Sequence, residues 1–141
     1  MAANDRYLDQ LGAIALFSAL SRKELERVAR SVDEVKVSAG HRLVTQGDVA
    51  REMFVLVEGE ATVTRNDQEI TTIGPGIAVG EMSLLDHGPR TATVTCDTDC
   101  TVLVLGAREF AALLDDVPEL THKLLTRLAG RVRELDEQIY G

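Results

Sequence analysis

The stretch GEMSLLDHGPRTATV, residues 80–94, decides how the chain is interpreted. Gly80 lets the backbone approach a ligand closely, and residues 81–83 can begin a helical turn whose free N–H groups point outward. Aligned donors at the start of a helix, with their positive partial charge, suit a phosphate. Arg90 follows after a brief loop and would add a planar, two-pronged donor to the same phosphate oxygens. The pattern therefore predicts an anion site.

Glu81 lies inside this predicted anion site and needs an explanation of its own. A carboxylate beside a phosphate costs free energy unless another group engages it. A ribose 2′-OH is a donor and an ionised carboxylate only accepts, so the pair favours a nucleotide with a free 2′-OH. The alternative interpretation makes Arg90 a surface residue that only fastens its own loop.

Composition limits the function classes. The chain has 141 residues, enough for one domain, and its 45% hydrophobic and 27% charged residues are typical of a globular protein. The 23 acidic and 15 basic residues give a net charge of −8, so nucleic acid and anionic membranes are not expected partners. The N-terminus lacks the pattern of a signal peptide, and no apolar run approaches the ~20 residues of a membrane span. We expect a cytoplasmic protein.

Two cysteines, Cys96 and Cys100, flank a predicted turn and are expected to be reduced and structural. Their spacing could make them cross-strand neighbours. His41, His87 and His122 show no metal-ligand spacing, so no metal is expected. No nucleophile is spaced with a histidine and an acid, which argues against an enzyme.

Helical and strand patterns divide the chain. Ser21 and Glu24 form a capping box at the start of a helix. From about Val35 the period changes to two, in seven short β-branched runs that mostly end in Gly, Asn or Asp. Such runs predict an antiparallel sandwich or barrel. After Gly106 the pattern is helical again, first in AREFAALLDDV and then from Pro118 onward.

The last helix carries a seam of residues at 4-3-4-3-4 spacing, which is typical of a coiled coil: Thr121, Leu125, Leu128, Val132, Leu135 and Ile139. Periodicity does not say which surface the seam covers. Packing on the chain's own barrel and packing on a second subunit both remain open.

Residues 74–94, GPGIAVGEMSLLDHGPRTATV, resemble the phosphate-binding cassette of the cyclic nucleotide-binding domain of the catabolite activator and protein kinase A regulatory subunit type. The resemblance continues upstream in TQGDVAREMFVLVEGEATV, with the family's Gly-Asp turn at Gly47 and Asp48, and covers about residues 15–140. Two positions differ from the common pattern, Ile77 and Val79, and neither would remove a ligand contact.

The resemblance implies a mainly β fold, an eight-stranded jelly-roll β-barrel with N-terminal helices and C-terminal lid helices. The chain would be a single domain, residues 1–141. Its parts would be a helical part at 1–32, a barrel at 33–106 with the cassette at 74–94, and hinge and lid helices at 107–141.

The resemblance also implies the roles of the cassette residues. Backbone N–H groups of Gly80, Met82 and Ser83 would bind the cyclic phosphate, Glu81 the ribose 2′-OH and Arg90 the phosphate. The full candidate ligand set is Gly80, Glu81, Met82, Ser83, Arg90, Thr91 and Ala92, with Arg131 and Leu135 as lid contacts to the base.

The implied ligand is a cyclic nucleotide. The Thr91 hydroxyl could reach the amino group of a syn guanine, yet cyclic AMP binders of the bacterial type also tolerate Thr there. The resemblance to bacterial sensors favours cyclic AMP and leaves cyclic GMP open.

The expected function is regulatory: a stand-alone, bacterial-type sensor that signals through its C-terminal helices to an unidentified effector protein, with a homodimer through the last helix as an option. The alternatives are a scaffold domain that has lost nucleotide binding and a regulatory fragment of a longer transcription factor or enzyme. The last helix carries acidic residues among its arginines, so it is not expected to contact the DNA backbone.

Overall fold

The computed structural model describes residues 7–140, with side chains placed through residue 138. It begins with helix α1 (Leu8–Ala13), a 3-10 turn (Ala15–Phe17) and helix α2 (Arg22–Ala29). The predicted capping box is confirmed. The Ser21 hydroxyl accepts from the Glu24 N–H at 3.2 Å, and the Ser21 N–H donates to the Glu24 carboxylate at 2.8 Å.

Eight strands follow and form two antiparallel sheets. They are β1 (Asp33–Val37), β2 (Arg42–Val44), β3 (Glu52–Glu58), β4 (Ala61–Arg65), β5 (Gln68–Ile73), β6 (Ala78–Val79), β7 (Thr93–Cys96) and β8 (Cys100–Gly106). The first sheet has the order β1-β8-β3-β6, and the second has the order β2-β7-β4-β5. The seven predicted runs all form strands, and the two-residue strand β6 is the addition.

Two hydrophobic clusters fill the molecule. One lies between the two sheets and includes Leu56, Ala61 and Val102. The other joins the opposite face of the first sheet to the helices and includes Met53 and Leu103. Because successive strand residues point to opposite faces, β3 and β8 supply both clusters, and their nearly continuous apolar sequences follow from burial on both sides.

The two cysteines require a correction. Cys96 ends β7 opposite Ala61, and Cys100 starts β8 opposite Val37, so they lie in different sheets and are not cross-strand partners. Both are free and buried. Burial, followed by a hydrogen bond with Cys100, raises the pKa of the Cys96 thiol well above its usual range. Cys96 is therefore held in the unreactive thiol form.

Helices α4 (Ala107–Asp116) and α5 (Pro118–Tyr140) close the chain. Helix α5 packs on the rest of the domain through Leu120 and Leu124. Both belong to the hydrophobic cluster between the first sheet and the helices, and both lie outside the predicted seam. The seam residues Leu125, Val132 and Leu135 are all more than half exposed. The side chain of the last seam residue, Ile139, lies outside the described residues.

The division of α5 gives a stability prediction with a matched control. Leu120→Ala removes a fully buried side chain (0% exposed) and should lower the free energy of unfolding by about 2–5 kcal/mol. Leu125→Ala, at a position 60% exposed, should change it by about 0.5 kcal/mol or less. Urea unfolding at low protein concentration measures both. Equal losses of stability in the two variants would contradict the assignment of Leu120, and not Leu125, to the core.

Candidate functional site

The predicted cassette is a strand, a short helix and a loop wrapped around one arginine. Strand β6 pairs with β3, Gly80 follows with φ of +89°, and helix α3 (Glu81–Asp86) begins at once. The left-handed conformation of Gly80 makes the sharp change from strand to helix possible. His87, at φ of +56°, ends the helix, and Arg90 lies two residues after Gly88.

Arg90 is only 5% exposed, so it is not the surface residue of the alternative interpretation. Its Nη1 donates to the Gly80 carbonyl at 3.0 Å, and its Nη2 donates to the Glu52 carbonyl on β3. Burial lowers the pKa of the Arg90 guanidinium, and the charge of Glu52 opposes that shift. An arginine stays protonated in either case, so the cation is fixed behind the cassette.

The Gly-Asp turn holds the backbone of this arginine. Arg90 donates its N–H to the Asp48 carbonyl, and its own carbonyl accepts from the Gly47 N–H, both at 2.9 Å. Gly47 has φ of +89°, which explains the glycine at this turn. The two stretches that carry the resemblance are therefore in direct contact.

Glu81 is also buried, at 6% exposed, and its partner was not predicted. The Arg127 Nη2 atom on α5 lies 3.4 Å from Glu81 Oε1. One carboxylate oxygen of the cassette is thus paired with helix α5. The one sequence signal for Arg127 was its position four residues before Arg131, on the same face of the helix.

Two neighbouring cavities meet at the cassette. The larger, about 700 Å³, lies between α3 and α5, and the smaller, about 240 Å³, lies between the cassette and the second sheet. Gly80, Ser83 and Thr91 line both cavities. Together they reach the size of a typical small-molecule site.

The structure distributes the candidate residues over these two cavities. Glu81 and Met82 line the larger cavity, and Arg90 and Ala92 line the smaller one. The lid candidates Arg131 and Leu135 line the larger cavity as well. Every candidate residue therefore borders at least one of these two adjacent cavities, with the buried Arg90 at the smaller cavity and helix α5 along the larger one.

Residues 7–138 contain no group of three or more His, Cys, Asp or Glu side chains arranged to hold a metal ion. Within the same described chain, no helix combines the length and apolar character needed to cross a membrane.

The family model of the cyclic nucleotide-binding domain matches residues 34–117, and the chain belongs to this family. Among curated relatives, the cyclic AMP receptor protein of Thermus thermophilus is 29% identical over 129 residues, covering 88% of this chain and 60% of the relative. The chain thus spans less than two thirds of that relative's length.

Solved structures agree with this family. The N-terminal domain of a transcriptional regulator from Streptomyces coelicolor A3(2) matches with 32% identity and a TM-score of 0.80, over 92% of this chain and 94% of that one. The regulatory domain of Toxoplasma gondii PKA, co-crystallised with cAMP, matches with 31% identity and a TM-score of 0.73, over 78% of this chain and 44% of that one. The predicted jelly-roll fold with flanking helices is confirmed.

The close approach at Gly80 can be tested against a second glycine. A Cβ at Gly80 would collide with Arg90 Nη1, whereas a Cβ at Gly76, also at positive φ (+96°), would meet nothing within 4 Å. Gly76→Ala should cost about 1 kcal/mol of stability from backbone strain alone, and Gly80→Ala about 1–3 kcal/mol more, because the guanidinium must move. Thermal unfolding of both variants measures the difference, and equal losses would show that Arg90 does not pack against Gly80.

Proposed function

We propose that this chain binds a cyclic nucleotide, cyclic AMP in preference to cyclic GMP, and acts as a regulatory sensor. The observation that carries the proposal is the pair of buried charged residues at the cassette, Arg90 and Glu81, beside two adjacent cavities that share part of their lining. The guanidinium suits the cyclic phosphate, and the carboxylate suits the ribose 2′-OH. Backbone N–H groups of Gly80, Met82 and Ser83 complete the phosphate contact.

The preference for cyclic AMP rests on relatives. The Thermus thermophilus relative is named a cyclic AMP receptor protein, and the Toxoplasma gondii domain was crystallised with cAMP. One hydroxyl hydrogen bond from Thr91 to a guanine is worth about 0.5–1.5 kcal/mol, roughly a tenfold preference at most. Thr91 is therefore compatible with either nucleotide.

Helix α5 is the proposed output element. Its distal half, from Arg127 onward, forms one wall of the larger cavity, and Arg127 pairs with the same Glu81 that would accept from the ribose. A nucleotide that enters between α3 and α5 changes the surroundings of this ion pair. Movement of the distal helix would then report the ligand to an effector protein.

The exposed seam on the distal helix is the proposed surface for a second subunit. Leu125, Val132 and Leu135 are each more than half exposed, and heptad spacing suits a paired helix. A longer protein with a separate output domain is the other arrangement, because the chain spans 60% of the Thermus thermophilus relative. A cytoplasmic location and the absence of enzymatic activity stay predictions.

The proposal predicts a large effect at Arg90. Arg90→Ala would leave the phosphate with backbone donors only, and loss of one partner of a buried charge pair costs about 2–5 kcal/mol, roughly thirtyfold to several thousandfold in affinity. Isothermal titration with cyclic AMP and cyclic GMP measures it. Arg90→Lys should restore only part of the affinity, because an ammonium keeps the charge but cannot present two parallel donors. Glu81→Gln should cost less, and should narrow the preference for ribose over 2′-deoxyribose nucleotides.

Arg90 also bonds two carbonyls, so its alanine variant will lose stability. Thermal melts therefore accompany the titrations, and Arg90→Lys serves as the variant that keeps a buried cation. Unchanged affinity in a folded Arg90→Ala protein would contradict the phosphate-site assignment, whereas no binding by the wild-type chain would favour a scaffold domain.

A shortened chain tests the lid and the seam together. Ending the chain at Thr126 keeps the buried Leu120 and Leu124 and removes the cavity wall that begins at Arg127. We expect a folded monomer whose affinity for the nucleotide is lower by about tenfold or more, since the side of the ligand that the distal helix would cover becomes exposed to solvent. Titration and sedimentation equilibrium measure affinity and mass. Equal affinity of the shortened and full-length chains would refute the lid role of α5. A full-length chain that keeps the monomer mass at every concentration would refute dimerisation through the seam.

A further inference from the structure

Arg65 is a second arginine at the smaller cavity, outside the cassette. It is the last residue of β4 and lines this cavity together with Arg90, Gly80 and Ser83. Its Nε donates to the carbonyl of Thr91 at 3.0 Å. The side chain is thus fastened to the residue that directly follows Arg90.

The strand hairpin that carries Arg65 is itself fastened to the Gly-Asp turn. Gln46 exchanges two hydrogen bonds with Asn66, both at 2.9 Å, one through the Asn66 N–H and one through its side-chain oxygen. The Gln46 N–H donates to the Thr93 hydroxyl at 2.9 Å. Arg65 therefore projects from a hairpin whose tip is held against the end of the cassette.

The two arginines differ in how many donors remain for a ligand. Arg90 already directs Nη1 and Nη2 to the carbonyls of Gly80 and Glu52. Within the described residues, Arg65 has no carboxylate at ion-pair distance, and its one side-chain hydrogen bond uses Nε. The N–H groups on both Nη atoms of Arg65 are thus free to donate beside the cavity.

We propose that Arg65 is a further ligand-binding residue, the second cation that contacts the cyclic phosphate. This inference rests on the proposed function. Apart from the two arginines, the smaller cavity is lined mainly by apolar side chains such as Val44, Val63 and Val94, so a phosphate there has few other cations. In a chain with a net charge of −8, a second local cation offsets long-range repulsion of an anion. A guanidinium can also donate to the O6 and N7 atoms of a guanine, and the experiment separates that outcome.

The test compares Arg65→Ala, Arg65→Gln and Arg65→Lys, each titrated calorimetrically with cyclic AMP and cyclic GMP at two salt concentrations. Gln places an amide nitrogen where Arg65 has Nε, so it can keep the bond to the Thr91 carbonyl while it removes the charge. Arg42→Ala is the matched control, because Arg42 is an exposed arginine on β2 that lines neither cavity.

A phosphate contact should weaken both nucleotides by the same factor, about tenfold, in Arg65→Ala and in Arg65→Gln. Arg65→Lys should recover part of the loss, and the loss should shrink at high salt. Arg42→Ala should stay within about twofold of the wild type.

If the wild-type chain binds, three results would overturn the assignment. Wild-type affinity in Arg65→Gln would reduce Arg65 to a support for Thr91, and a loss confined to cyclic GMP would assign it to the base. Unchanged affinity in Arg65→Ala would leave it with no role at the ligand. If the wild-type chain binds neither nucleotide, the proposed function fails, and the Arg65 contact fails with it.

Discussion

The buried guanidinium of Arg90 is the constraint on which the cassette depends. A buried cation must have its donors satisfied, and here the carbonyls of Gly80 and Glu52 accept from it. These bonds tie the start of α3 to β3 and leave no space for a side chain at Gly80. The turn at Gly47 and Asp48 then fixes the arginine's own backbone. The bonds that organise the cassette are therefore made within the chain itself and need no ligand atom, which reduces the ordering cost of binding.

Local charge placement explains how an acidic chain can accept an anion. The net charge of −8 is spread over the whole molecule, whereas the cavities have arginines at their edges. Arg90 lies behind the cassette, Arg65 at the end of a neighbouring hairpin and Arg127 on helix α5. Carboxylates also line the larger cavity, at Glu81 and Asp86, and Glu81 is paired with Arg127. At physiological salt, charges more than about 8 Å apart are largely screened, so carboxylates far from the cavities weaken these cations little.

Local patterns predicted much of this structure. The capping box at Ser21, the seven alternating runs and the order of Gly80, Glu81 and Arg90 are all features of short range, readable from neighbouring residues. Strand β6 escaped prediction because two residues carry no period. The contact between Glu81 and Arg127 escaped it because the docking of α5 sets that distance. The same docking decides that Leu124 is buried while Leu125 is exposed, a distinction that heptad spacing alone cannot make.

The ion pair between Glu81 and Arg127 also has a thermodynamic meaning. If Glu81 accepts from the ribose as proposed, one carboxylate serves both the nucleotide and helix α5, and the two occupancies depend on each other. Linkage is reciprocal. A protein that binds the distal half of α5 would change the affinity for the nucleotide by the same factor by which the nucleotide changes the affinity for that protein. A coupling of 1–3 kcal/mol corresponds to about 5- to 150-fold. The concentration of nucleotide needed to switch this sensor would then be set partly by its partner, and one chain could respond at different thresholds in different assemblies.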